Sequence, residues 1–220
     1  MTIRHKVQAT VLAASIALGC VALPAAALAA PSASAAPSFA TIGADGLAGY
    51  ANTALDAWVK YSNTGSAAAL AEFGSIRDSV AAEAANRLGL DVTSMQSAWR
   101  NADATHQVAL LSAFTQLGTR YRRNASSPGV AFDCSGLTSW AWAQAGLELA
   151  HQSRTQIRNA RVVSRETAQA GDLVYYPGHI MMFLGVDNAI VHAPFSGRNI
   201  EVGFVSKSRV KSALFGDPTG

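Results

Sequence analysis

The chain has 220 residues, 50% of them hydrophobic and 14% charged, with a formal net charge of +3 at pH 7. That composition excludes an intrinsically disordered chain and supplies enough apolar material for a packed core. Without Arg4 and Lys6 there are 15 basic against 14 acidic side chains, so a strongly basic, nucleic-acid-binding protein is not indicated.

The chain begins with a short basic region, Arg4, His5 and Lys6, ahead of an uncharged, mostly apolar run over residues 7–23. This is the pattern of a secretory signal peptide. Small residues follow at cleavage spacing in Ala27-Leu28-Ala29 and again in Ala33-Ser34-Ala35, and the signal is assigned to residues 1–29. A retained anchor is disfavoured because Pro24 ends the run short of a spanning length. A lipid anchor at Cys20 is disfavoured because apolar residues continue past it. Residues 30–44, opening with Ala, Pro and Ser, read as a linker. No later segment has transmembrane length, so the mature protein is expected to be exported, secreted or wall-associated, and monomeric.

Residues 45–102 carry helical apolar spacing and form a helical N-terminal region: Leu70, Phe73, Ile76 and Val80 lie one turn apart. Asp91 is suited to cap a helix bearing Val92, Met95 and Trp99. A second unit spans 103–220, where Val108, Leu111, Phe114 and Leu117 continue the helical pattern. After Gly171 the period changes. Runs at 172–176, 179–184, 189–193 and 200–205 are short, rich in strand formers and separated by turn residues, as in an antiparallel sheet.

Between these halves stands Asp133-Cys134-Ser135-Gly136, followed by Leu137, Trp140 and Ala141 at helical spacing and Gly146 as a stop. With Cys20 inside the signal, Cys134 has no internal disulfide partner and needs another reason to exist in an oxidising compartment. A thiol at a helix start is expected to have a lowered pKa, because the helix terminus favours the thiolate. The plain alternative is an inert buried cysteine.

A thiol nucleophile needs an imidazole to take its proton and a third group to orient that imidazole. His5 leaves with the signal, and His106 and His151, on helical or loop stretches, are expected to be exposed. His179 and His192 lie on consecutive strands joined by Gly185-Val186-Asp187-Asn188. A loop of two or four residues brings them to one face, and a three-residue loop without a bulge separates them.

The order of Phe132-Asp133-Cys134-Ser135-Gly136-Leu137-Thr138, Ala170-Gly171-Asp172-Leu173-Val174, His179-Ile180-Met181-Met182-Phe183-Leu184-Gly185 and Val191-His192-Ala193-Pro194 resembles the motifs of NlpC-type cell-wall cysteine peptidases. The resemblance implies a papain-like α+β fold, with Cys134 as nucleophile, His179 as general base and acid, and His192 as the orienting third member. It places Tyr121 near the oxyanion, Asp133 and Ser135 in contact with substrate, and Ser153 in the cleft. Met181 stands where many relatives have a small residue and is expected to narrow the pocket. Tyr121 is followed by Arg122-Arg123-Asn124 where relatives commonly carry Trp-Gly-Gly, so one cleft wall differs.

The implied activity is hydrolysis of peptidoglycan stem peptides, between D-glutamate's γ-carboxyl and a diamino acid. An N-acetylmuramoyl-L-alanine amidase or an acyltransferase could use the same thiol. A wall-binding module that has lost activity competes from another class: the missing Trp-Gly-Gly favours it, and the intact Cys134, His179 and His192 oppose it. No metal motif or phosphate loop is visible, so no metal or other cofactor is expected. The arginines at 120, 122, 123, 154, 158, 161 and 165 read first as a solvated surface, and the four tryptophans as core or half-buried residues.

Overall fold

A computed structural model describes residues 42–220. The signal peptide and most of the linker assigned from sequence lie outside the described residues.

Four helices come first. α1 (Gly46–Thr64) starts at Asp45, whose carboxylate accepts from the Leu47 amide, and stops at Gly65 in the left-handed region. α2 (Ala67–Leu88) repeats the arrangement with Ser66 and Gly89. α3 (Val92–Asn101) is capped by Asp91 through the Ser94 amide and buries Met95 and Trp99, each burial stabilising by roughly 2–3 kcal/mol. α4 (Ala104–Phe114) is buried along almost its whole length. The segment before α1 is tied to the end of α4, since Gly43 N donates to Thr115 O and Asp45 N to Leu117 O. A Cβ on Gly43 would lie 1.8 Å from the Leu117 oxygen, so this approach requires glycine.

A two-stranded antiparallel ribbon, β1 (Ser126–Ser127) and β2 (Ala131–Phe132), leads directly into α5 (Cys134–Gln144). α6 (Ser153–Asn159) and β3 (Arg161–Val163) follow. Then come β4 (Leu173–Tyr176), β5 (His179–Phe183), β6 (Ala189–His192), β7 (Glu201–Phe204), the short helix α7 (Lys207–Val210) and β8 (Leu214–Asp217). The main sheet has the order β3-β8-β4-β5-β6-β7 with every pair antiparallel. β4 to β7 are neighbours in sequence and in space, whereas the last strand inserts between β3 and β4.

Both faces of the sheet are covered. Leu173, Ile180, Met182 and Val191 join α1–α5 in one apolar cluster. On the other face Val174, Met181, Phe183, Ile190, Val205 and Phe215 form a second. Trp99 Nε1 donates to Leu184 O at 3.1 Å, fastening α3 to the end of β5 opposite His179.

The expectation that His106 is exposed is corrected. His106 is fully buried, with Nε2 3.0 Å from Asp172 Oδ1 and 3.4 Å from Asp217 Oδ1, and its ring meets Trp142 edge-on. A buried ionisable group persists only with such partners, and these come from β8 and from the residue just before β4. Among the described residues no helix is long and apolar enough to cross a membrane.

Candidate active site

Asp133 is the N-cap of α5, and both of its oxygens are engaged. Oδ1 accepts from Gly136 N at 2.7 Å and Ser135 Oγ at 3.2 Å and meets His151 Nε2 at 2.9 Å; Oδ2 accepts from Asn124 N at 2.7 Å. These bonds fix the path of the chain into the helix and so the position of Cys134 as its first residue. Gly136 makes the first turn possible, because a Cβ there would stand 2.1 Å from the Ala125 carbonyl oxygen.

Cys134 is a free, partly exposed cysteine, the only one among the described residues. Burial pushes its thiol pKa up and the charge of Asp133 adds to this, while backbone amide bonds, chiefly from Ile180, act downward. The expected thiolate stabilised by the helix start is therefore corrected: desolvation outweighs the amides, and the resting group is the thiol.

Ile180, the source of that amide, directly follows His179 at the start of β5, so the strand that carries the imidazole also touches the sulfur. Tyr176, paired with His179 across β4 and β5, touches the His179 ring at a centroid distance of 5.5 Å and also senses the charge of Cys134. The Arg209 guanidinium packs on the Tyr176 ring at 5.2 Å.

The β5–β6 hairpin closes with Leu184 N donating to Ala189 O, leaving a loop of residues 185–188. That four-residue loop brings the two histidines to one face. His179 Nε2 lies 2.8 Å from His192 Nδ1, with the rings 71° apart. Burial lowers both pKa values to about 4; the neighbouring His192 adds to the shift of His179, and Arg198 to that of His192. The thiol and both imidazoles are thus uncharged at rest.

Tyr121 is held by its amide, which donates to Arg198 O at 2.9 Å, and by a bridge to Phe132 just ahead of Cys134. Burial raises its hydroxyl pKa, and the charges of Cys134 and Asp133 add to this, so the hydroxyl stays neutral. Ser135 is buried with its hydroxyl turned to Asp133. Ser153 opens α6 and is half-buried. Met181 corrects another expectation: it is 1% exposed and packs in the second apolar cluster, so it fills core and does not narrow an open cleft.

Several supporting residues escaped the sequence reading. Gln156, buried, holds α6 to α5 through Thr138 Oγ1, Ser135 O and Ala150 O. Glu201 lies beside His192, and Tyr176 beside His179. A cavity of about 590 Å³ is lined by Arg120, Arg122, Thr119, Val130 and Asn199 among others, and its lining includes none of Cys134, His179, His192 or Tyr121. The ligand atoms of His106, Asp172 and Asp217 lie within 4.8 Å of one another. Gln169 N, Thr219 and Arg161 already occupy the carboxylates, so the cluster reads as a structural ion network.

Residues 118–218 match the NlpC/P60 family model. A protein of Corynebacterium glutamicum (strain R) named "Probable endopeptidase" is 35% identical over 118 residues, covering 52% of this chain and 55% of that protein. The gamma-D-glutamyl-L-lysine dipeptidyl-peptidase of Bacillus cereus is 31% identical over 86 residues, covering 36% of this chain and 26% of that protein. A solved Staphylococcus aureus protein described as similar to lipoprotein, NLP/P60 family, is 32% identical with a TM-score of 0.45, covering 52% of this chain and 41% of that one. The match thus spans about half or less of these relatives.

Proposed function

Because this chain carries an NlpC/P60 family domain at residues 118–218, we propose that it is a cysteine peptidase that hydrolyses peptidoglycan stem peptides with Cys134 as nucleophile. What supports this reading is a helix-start thiol that meets the backbone amide of Ile180, the residue next to His179, together with the His179–His192 hydrogen bond.

His179 Nε2–H donates to His192 Nδ1, which leaves the Nδ1 lone pair of His179 to take the thiol proton. As the sulfur attacks the peptide carbonyl, its proton passes to the imidazole in the same step. The Tyr121 hydroxyl donates to the developing oxyanion. The carbon–nitrogen bond breaks as His179 returns its proton to the leaving amine. Water then cleaves the thioester, giving its proton to His179 and its hydroxyl to the acyl group, and the thiol is restored.

Asp133 and Ser135 act from behind the sulfur as the lock on the helix start. The scissile bond we favour joins the γ-carboxyl of D-glutamate to a diamino acid; the Bacillus cereus relative bears a name for cleavage of that kind. The leader-like residues 1–29 support export to the wall. Residues 103–220 are read as the catalytic unit and α1–α3 as its buttress, since Trp99 braces the end of β5 away from His179.

Digestion of purified wall fragments, with products identified by mass, tests the bond. New amino groups on the diamino acid support it; free L-alanine termini released from muramic acid would indicate an amidase instead.

A further inference from the structure

The register of β6 on β7 places His192 directly opposite Glu201, so the two side chains share a face. Glu201 Oε1 lies 3.7 Å from His192 Nε2. Arg198 Nη2 donates to both Glu201 oxygens, at 2.5 and 2.6 Å, and its guanidinium packs over the Phe195 ring at 5.7 Å. The carboxylate is therefore held by a cation on one side and faces an imidazole nitrogen on the other.

His192 has two nitrogens and one proton when neutral. Nδ1 meets His179 Nε2 at 2.8 Å, and Nε2 faces Glu201. A carboxylate accepts and cannot donate, so it favours the form in which Nε2 carries the proton. Nδ1 is then an acceptor, His179 must donate from Nε2, and the lone pair of His179 is left on Nδ1. In the opposite tautomer the His179 proton would sit on Nδ1 and the ring would lose its basic nitrogen there. At 3.7 Å Glu201 orients the ring by charge, not by a short hydrogen bond.

We propose that Glu201, clamped by Arg198, is a positioning residue that sets the tautomer of His192 and, through it, of His179. The inference rests on the reading of Cys134 and His179 as the reacting pair. Arg198 has a second effect: after burial, its positive charge is what keeps His192 from protonating, so the pair directs the ring without charging it.

The test is ring-nitrogen NMR of the full chain with 15N-labelled histidine, at pH 7, on wild type, Glu201→Ala and Glu201→Gln, together with kcat and KM on wall fragments. In wild type both rings are expected to carry the proton on Nε2. In Glu201→Ala the His192 signal spreads toward the Nδ1–H form, and kcat falls about tenfold with KM within about twofold. Glu201→Gln, which keeps an acceptor oxygen, falls between and serves if the alanine variant does not fold. Unchanged Nε2–H signals in both variants overturn the proposal. If wild type releases no fragments, the hydrolase reading fails, while the ring-nitrogen spectra still decide the tautomer relation.

Discussion

His179 Nε2 and His192 Nδ1 lie 2.8 Å apart across a hairpin that the chain turns with four residues. Two imidazoles this close cannot both be cationic without mutual repulsion, and neither is well solvated. Their joint neutrality, with the neutral thiol of Cys134, defines the resting site and gives it a pH signature.

Both histidines bind protons more weakly in the folded chain, at about 4, than an ordinary imidazole does at 6.5. Between those values the unfolded state holds more protons, so unfolding is favoured by acid and stability rises with pH. The contribution is fully present above about pH 6.5 and is lost as pH falls toward 4, on the order of 3 kcal/mol for a shift of that size. Urea unfolding from pH 7.5 to 4.5 should show this slope in wild type, and a shallower one in His179→Ala.

Replacing His192 by alanine removes the orienting ring but leaves the thiol and His179. We expect kcat to fall about 100-fold with KM little changed. A purely structural His192 would instead lower the melting temperature while sparing turnover per folded molecule.

Gly136→Ala should destabilise the chain by about 3 kcal/mol, because the added methyl meets the Ala125 carbonyl backbone and His151. Activity should fall with it, since the same turn sets the position of Cys134. A denaturation midpoint equal to that of wild type would count against this account of the helix start.

His106→Ala removes the imidazole shared by Asp172 and Asp217 and leaves a cavity beside Trp142, while Gln169 N, Thr219 and Arg161 still hold the carboxylates. The expected loss is about 2–3 kcal/mol, measured by urea unfolding. The network does not touch the thiol, so kcat per folded molecule should be retained.

The sequence pattern alone locates β4 to β7, because each is a short apolar run between turn residues and pairs with its neighbour in the chain. β3 and β8 escape it: Arg161–Val163 is too short to show a period, and Leu214–Asp217 finds its partners far away. The same distance hides His106, whose burial depends on carboxylates more than sixty residues on. Met181 was expected to face a cleft, but the sheet is covered on both faces, which alternation does not reveal. Glu201 becomes visible only once the β6–β7 register is known. The raised pKa of Cys134 is a desolvation effect, and no motif spacing encodes it.

The most direct test of the central claim is the release of peptide fragments from purified wall material by wild type, Cys134→Ala and His179→Ala under reducing conditions. The account predicts release by wild type and a loss of at least about 1,000-fold in both variants. Undiminished release by folded Cys134→Ala would contradict it.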